Sequence, residues 1–289
     1  MRKLNQLKGN KEKNRNTYKV RIQEEELILI NKNRRLQNKA YCTDGDLYFV
    51  LSDFHRPFHN KVVWNKLMLL LKEKKPTGVV LNGDYLDMFT LGSYNAESLH
   101  NLRNITLEEE YDDGLKGIIE INNAVSKNCK KMYLWGNHED RYFREIQKKD
   151  NSKYGNALKN PNEALKLKET GWEIKTNWKD DYFSIGDLDV THGTFFSVHV
   201  AKKHLESHEN NIMFGHCHRV QEFTLGNKSG YAIGWLGDPE SKYFHYMPRL
   251  VRKNWRNAFS VVTVIDGVSY VQVIKINEDN TFYFNGKKY

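Results

Sequence analysis

Five short segments of this chain carry residue types that bind metals, each beside a glycine or a second ligand-type residue. They are Asp53-Phe54-His55, Gly83-Asp84-Tyr85-Leu86-Asp87, Gly136-Asn137-His138-Glu139, Thr191-His192-Gly193 and Gly215-His216-Cys217-His218. Imidazoles and carboxylates gathered in one crevice suit borderline divalent cations such as Mn, Fe or Zn better than Ca or Mg. The chemistry such a set supports is hydrolysis by a metal-activated water. Each segment alone is a weak signal, because Asp-x-His is commonly a surface turn and Gly and Asn dominate turn positions generally. Their recurrence carries the weight: His and carboxylate clusters mark metal or catalytic sites, and three of the five directly follow strand-like runs.

The elements that must position these residues alternate strand and helix. DLYFVLS (46–52) is an apolar run ending in polar residues, and Val63, Leu67, Leu70 and Leu71 then repeat at helical spacing before Pro76. TGVVLN (77–82) reads as the second strand, a helix opened by the Thr106-x-x-Glu109 capping box follows, and KKMYLW (130–135) is the third strand. The alternation predicts an α/β sheet with covering helices, in which the carboxyl ends of strands converge on one crevice. Residues 139–169 read as helix-rich. Beyond them the pattern is mainly β (YFSI, LDVTH, NIMFGH, QEFTL, YAIGW), with a helix over 197–207, which implies a second sheet. The last thirty or so residues hold three β-rich runs separated by Asp-Gly and Glu-Asp-Asn, read as consecutive hairpins. If the Gly215–His218 segment is extended, His216 and His218 share one face and Cys217 points away.

The chain has 289 residues, 39% hydrophobic and 28% charged, a globular balance with room for a substantial core. No apolar run reaches the roughly 18 residues that would span a bilayer, and the basic N-terminus lacks a signal-peptide pattern. Neither a membrane association nor secretion is expected, and the location expected is cytoplasmic. Cys42, Cys129 and Cys217 are odd in number and unrelated in spacing, so reduced thiols are expected rather than a disulfide framework. The formal net charge is +9, but residues 1–40 hold twelve Lys or Arg against four Glu, so about +8 of it belongs to an N-terminal arm. Residues 1–16 read as disordered and 17–40 as one amphipathic helix, with residues 41–289 forming the main domain. The arm suits contact with nucleic acid, packing on the main domain, or a homo-oligomer contact.

Taken in order, the motifs D-x-H, G-D-x-x-D, G-N-H-E, H-G and G-H-x-H resemble those of the calcineurin-like metallophosphoesterase superfamily, over roughly residues 46–265. The resemblance implies a four-layer αββα sandwich of two mixed β-sheets flanked by helices. It also implies two divalent metal ions, Mn first with Fe, Zn or Ni as alternatives. One would be held by Asp53, His55, Asp84 and His218, the other by Asp84, Asn137, His192 and His216, with Asp84 bridging. His138 would be the catalytic imidazole and Asp87 the carboxylate that orients it, although Asp is also a common helix cap. Arg56, just after D-x-H, is a candidate contact for substrate phosphate.

Protein serine/threonine phosphatases of this superfamily place Arg-Gly after the second Asp of G-D-x-x-D; here Met88 and Phe89 stand there. A phosphodiesterase or nuclease acting on nucleic acid or a nucleotide diester is therefore expected before a phosphomonoesterase. A nucleic-acid-binding protein with a vestigial site is the third reading. Trp235, Tyr243, Tyr246 and Trp255 offer either base-stacking surfaces or core packing, and the loop 237–255 is the segment expected to touch substrate. The Lys- and Asn-rich composition also resembles metallophosphoesterases of bacterial viruses, which would place the protein in a host cytoplasm.

Overall fold

The computed structural model describes residues 45–92, 105–148 and 158–289. The N-terminal arm, its expected helix and Cys42 lie outside the described residues.

The first strand, β1 (Asp46–Leu51), shows why the core is layered as it is. Side chains alternate across a strand, and here both faces are apolar: Phe49 and Leu51 pack toward the helices while Tyr48 and Val50 pack toward the second sheet. Strand β2 (Gly78–Asn82) is buried at all five positions, and β3 (Lys130–Leu134) sends Tyr133 one way and Met132 and Leu134 the other. Near-continuous apolar runs of this kind belong to parallel strands covered on both faces.

Between β1 and β2, helix α1 (Lys61–Lys74) buries Val63, Trp64, Leu67, Leu70 and Leu71. Asn60 caps its first turn by accepting the Val63 N–H at 3.2 Å, and Lys75, at φ 47°, ends it. Helix α2 (Leu107–Ala124) opens with the expected reciprocal capping box between Thr106 and Glu109. In the stretch expected to be helix-rich, the described residues hold only short helices, α3 (Arg141–Ile146) and α4 (Pro161–Ala164), before β4 (Trp172–Lys175). The later elements are β5 (Phe183–Ile185), β6 (Leu188–Thr191), α5 (Val200–Glu206), β7 (Asn211–Phe214), β8 (Val220–Leu225), β9 (Lys228–Ile233), α6 (Arg249–Arg252), β10 (Ala258–Ile265) and β11 (Val268–Lys275).

Two mixed sheets result. The first has the order β11-β10-β1-β2-β3-β4, parallel from β1 to β4 and antiparallel at β10 and β11; the second has the order β5-β6-β7-β9-β8, with β6, β7 and β9 parallel. Val80, Leu134, Val190, Met213, Ile233 and Val262 fill the space between them. Helices α1 and α2 cover the first sheet, and α5 covers the second through Val200, Ala201 and Leu205. This is the four-layer αββα sandwich that the resemblance implies.

The C-terminal hairpins differ in part from expectation. Asp266 and Gly267, both at positive φ (51° and 79°), close β10 onto β11 in the two-residue turn that matches strand twist. The third run does not pair with β11. It forms its own small hairpin, β12 (Tyr283–Phe284) with β13 (Lys287–Lys288), around Asn285-Gly286, also at positive φ. Among the described residues no helix is long and apolar enough to cross a membrane.

The inward face of α1 sets a testable contrast. Leu67→Ala, at a fully buried position, is expected to cost about 2–5 kcal/mol, whereas Leu69→Ala, at a position 66% exposed, should stay within about 0.5 kcal/mol. Urea denaturation of the two variants measures both.

Candidate metal centre

All five ligand-type segments lie just past the carboxyl ends of strands: Asp53 and His55 after β1, Asp84 after β2, Asn137 and His138 after β3, His192 after β6, and His216 and His218 after β7. Backbone and side-chain bonds tie these loops together there, within each sheet and between the two. Asn82 donates its side-chain amide to the Thr191 carbonyl at 2.8 Å, and the Gly215 N–H reaches the His192 carbonyl at 3.0 Å. Asp53 accepts the His216 N–H at 3.0 Å, and its own N–H reaches the Gly83 carbonyl at 3.1 Å.

Five of these residues stand in the left-handed region that side chains other than glycine seldom occupy: Asp53 (φ 55°), His55 (51°), Asp84 (49°), His216 (62°) and His218 (57°). Each costs on the order of 1 kcal/mol, and such strain clusters at functional sites. It also solves a geometric problem. In Asp53-Phe54-His55 the two left-handed residues turn both ligand side chains to the centre, while Phe54 enters the core against Trp64 and Tyr85. His216-Cys217-His218 repeats the device, with Cys217 packed among the residues under α5. This segment is a sharp turn, not the extended strand expected, yet the two histidines still converge and the cysteine still points away. Burial pushes the Cys217 thiol up to about 12, so it is an inert packing group. The adjoining glycines permit close approach: a Cβ at Gly136 would collide with the Asp84 carboxylate, and one at Gly215 with Ser52 and Asp53.

The donor atoms converge in linked groups. His218 Nε2 lies 3.2 Å from Asp53 Oδ1 and 3.0 Å from His55 Nε2. Asp84 Oδ2 lies 3.9 Å from His55 Nε2 and 3.4 Å from His192 Nε2, which in turn is 3.2 Å from Asn137 Oδ1. Asp53, His55 and His218 form one group able to hold a metal ion and Asp84, His192 and His216 another, while Asp84 also groups with His55 and His138. Asp84 thus stands in two of the three groups, and His55 links it to the first.

The chemistry of these donors fits a divalent cation. His192 gives its Nδ1 proton to the Asn82 carbonyl at 2.9 Å, which leaves Nε2 as a lone pair aimed at a carboxylate and an amide oxygen. His55 is fixed in the same way by its Nδ1 bond of 2.9 Å to Asp87 Oδ2, so its Nε2 lone pair faces His218 and Asp84. Lone pairs converging beside a carboxylate in this way suit a cation among them. Three fully or nearly fully buried carboxylates, Asp53, Asp84 and Asp87, add to that fit. Burial works to raise the Asp84 carboxyl, but the charges of His138 and His192 outweigh it and hold it well below the ordinary range. Burial likewise pulls His192 down, and the Asp84 charge and hydrogen bond reverse it, lifting its pKa to about 9. Burial and the His192 charge push His216 down to about 3, which leaves it a neutral ligand.

Asp87 is not a helix cap; the following 3-10 turn (Phe89–Leu91) begins at Met88 with no side-chain cap. It holds His55 with its carboxylate and His138 mainly with its backbone carbonyl, which accepts the His138 Nδ1 proton at 2.7 Å while the carboxylate stands 3.5 Å away. Its orienting role is therefore divided between two imidazoles. His138 Nε2 is left facing Asp84 Oδ2, at 3.9 Å.

The expected phosphate contact by Arg56 is corrected. Arg56 is 2% exposed, pairs with Asp113 at 2.9 Å, and lies over the Trp64 ring at 4.2 Å, beneath α2 and close to Gly117. It belongs to the helix–sheet core. Trp235 and Tyr243 are also buried and offer no open face to a base. Trp235 stacks on His218 (4.9 Å, 11°), and Tyr243 donates its hydroxyl to Asp87 Oδ1. Trp255 is half-buried with its edge against His218 at 4.5 Å. The Tyr246 side chain lies outside the described atoms.

Several residues of the centre have roles that the motifs did not assign. Glu139 accepts the N–H groups of Asp84 (3.0 Å), Leu86 (2.9 Å) and Gly136 (2.8 Å) and the Tyr133 hydroxyl (3.0 Å), locking the β2 and β3 loops together. Arg141 reaches His138 Nε2 at 3.2 Å and the Asp87 carbonyl at 3.0 Å. Its spacing from His138, one helical turn, was the available signal. Phe196 and Trp178 lie against His216, at ring distances of 4.0 and 5.8 Å. His204 secures the turn after His192 by donating to the Val200 carbonyl (2.9 Å) and accepting the Thr194 N–H (3.1 Å).

No protein-family model matches the chain, and no curated protein matches it. Similar solved structures include Vacuolar Protein Sorting 29 from Cryptosporidium parvum (16% identity, TM-score 0.43, 86% of this chain and 96% of that one). Others are Vps29 complexed with Zn²⁺ from Entamoeba histolytica (13%, 0.38, 80% and 99%) and a predicted phosphoesterase from Streptococcus pneumoniae (13%, 0.36, 86% and 99%). At such TM-scores the likeness says nothing of chemistry, which rests on the side chains of this chain.

His204 gives a pH prediction. Burial lowers its pKa to about 4, against about 6.5 when unfolded. Between these values the unfolded chain takes up the proton and the folded chain does not. Stability is therefore full above about pH 6.5 and falls toward pH 4, by up to about 1.4 kcal/mol per pH unit for one such group. Urea midpoints measured across this range should fall less steeply in His204→Gln; an unchanged slope would assign the loss to other histidines.

Proposed function

We propose that this chain is a dinuclear metal-dependent phosphoester hydrolase of the calcineurin-like metallophosphoesterase kind, acting on phosphodiesters of nucleic acid. The observation that carries the reading is the shared Asp84 carboxylate between two groups of converging lone pairs. Asp53, His55, Asp84 and His218 would hold one cation and Asp84, Asn137, His192 and His216 the other, with Mn²⁺ proposed as the metal. Bound there, the two cations supply an activated water and neutralise charge on the phosphoryl group.

The remaining steps belong to the side chains. Asp87 and Asn82 fix the orientations of His55 and His192, so that Nε2 is the nitrogen each turns to the centre. His138, anchored through Nδ1, turns Nε2 toward the centre; neutral, it accepts there from Arg141, and protonated it would exchange that bond for one to the leaving oxygen and act as general acid. Arg141 beside it favours negative charge at that position. A diester is preferred because the cationic side chains on the ligand loops are already engaged, Arg141 with the Asp87 carbonyl and Arg144 with the Asn137 carbonyl. Met88 and Phe89 are buried apolar groups, and Arg56 is in the core. A monoester dianion asks for more. The strained ligand backbone supports an active centre over a vestigial one, since nothing but the site benefits from it.

Turnover of bis-p-nitrophenyl phosphate against p-nitrophenyl phosphate in Mn²⁺ tests the reading. Preference for the diester is expected, lost in Asp84→Asn and lowered about 10²-fold or more in His138→Ala. Preference for the monoester would instead favour a phosphatase that uses Arg141 as its clamp, and metal-independent or absent turnover of both would refute the catalytic claim. Independently, Mn²⁺ at 100 times its Kd should stabilise the wild-type chain by about 2.7 kcal/mol, read as a rise in Tm that EDTA reverses and that His192→Ala diminishes.

A further inference from the structure

The two indoles that hold His218 have a second use. Trp235 and Trp255 also wall a cleft of about 250 Å³, with Phe244 beside them, and the rest of its lining includes Arg249, Arg252 and Lys253. No carboxylate lines this cleft. Among the described residues none of the three cations has an ion-pair partner, although Arg252 spends one donor on the Met247 carbonyl at 3.1 Å. Pro248 starts the short helix α6, which sets Arg249 and Arg252 one turn apart, with Lys253 directly following. A solvated basic turn needs no such neighbours. Here the cations share a cleft with the two indoles that touch His218.

The other half of the centre has a complementary feature. Phe196 is 62% exposed, yet its ring lies 4.0 Å from that of His216. An aromatic face left in water beside a ligand histidine is a surface for something flat. Cations that follow a phosphate chain, combined with an open aromatic face, are how proteins hold single strands; a duplex keeps its bases stacked on one another and has no use for such a face.

We infer that the Arg249–Lys253 cleft and Phe196 form a binding track for single-stranded nucleic acid across the centre, the cleft taking backbone phosphates on the His218 side and Phe196 stacking a base on the His216 side. This rests on the diesterase reading above and specifies its substrate as a polynucleotide strand rather than a small cyclic nucleotide.

The full-length chain with Arg249→Glu and Arg252→Glu together, and separately with Phe196→Ala, tests the track. The first readout is binding of fluorescently labelled phosphorothioate dT20 in Mn²⁺, by anisotropy, over a range of KCl concentrations. Removing two phosphate contacts should reduce the slope of log K against log salt by about 1.4, and Phe196→Ala should weaken binding about fivefold or more. The basic N-terminal arm is common to all the proteins compared and cancels. The second readout is the ratio of turnover of unmodified dT20 to that of bis-p-nitrophenyl phosphate, expected to fall at least tenfold in the double variant. A merely structural change would lower both rates and leave the ratio and the salt slope alone, which overturns the inference. Equal or tighter binding of a 20-base-pair duplex also overturns it. If wild-type protein turns over neither compound, the diesterase reading fails, while the salt slope and the Phe196→Ala affinity still decide the track.

Discussion

The second carboxylate oxygen of Asp84 sits among imidazole nitrogens contributed by both sheets, and the geometry around it constrains most of the molecule. Its first oxygen is already satisfied by the His138 N–H at 2.9 Å, so Oδ2 alone is left to face His192, His55 and His138. To hold it there, Asp84 takes a left-handed backbone, its N–H is tied to Glu139, and Gly136 must lack a side chain. Glu139 in turn binds two further amides, so one buried carboxylate governs two loops at once. The strain of the ligand backbones is sustained by these bonds and by the core residues between the ligands, Phe54 and Cys217, which anchor each turn in hydrophobic packing.

Much of this was legible in the sequence, for physical reasons that differ by level. Strands β1 to β3 announced themselves because they are covered on both faces and so must be apolar throughout. The candidate ligands then stood out as polar groups that replaced ordinary turn residues at the ends of those runs. The Thr106 capping box was readable because it is local, as was the Asp266-Gly267 hairpin. What failed was long-range or depended on one turn of backbone. The left-handed conformation of His55 sends Arg56 away from the centre and under α2, where Asp113 and Trp64 receive it. No local pattern encodes that reversal. The third C-terminal run had the composition of a strand, but its Asn-Gly turn toward Lys287 outcompeted pairing with β11.

The site residues followed the same division. Ligand types are recognisable because metal chemistry restricts them, whereas the groups that orient ligands are chosen by position. A backbone carbonyl, at Asn82 or Asp87, orients an imidazole as well as a carboxylate does, and every residue has one. Glu139 closes the G-N-H-E motif and Arg141 follows two residues on, but their partners lie largely in the β2 loop, and only the fold brings the two together. The aromatic residues were ambiguous for a similar reason: Trp235 and Tyr243 are core by burial and yet touch a ligand histidine and Asp87, so packing and site are one surface there.

The placement of β10 beside β1 has a consequence for the order of events during synthesis. Asp46 pairs with Val264, and the centre's own residues run from Asp53 to His218, so the first strand made waits for nearly the last to be hydrogen-bonded on that edge. Contacts so distant in sequence form slowly, because loop closure must precede their reward. A partly synthesised chain therefore has Asp53, His55 and Asp84 without the histidines that complete their ligand set. The edge of β1 is thus closed only by residues made after every one of the ligand-type segments.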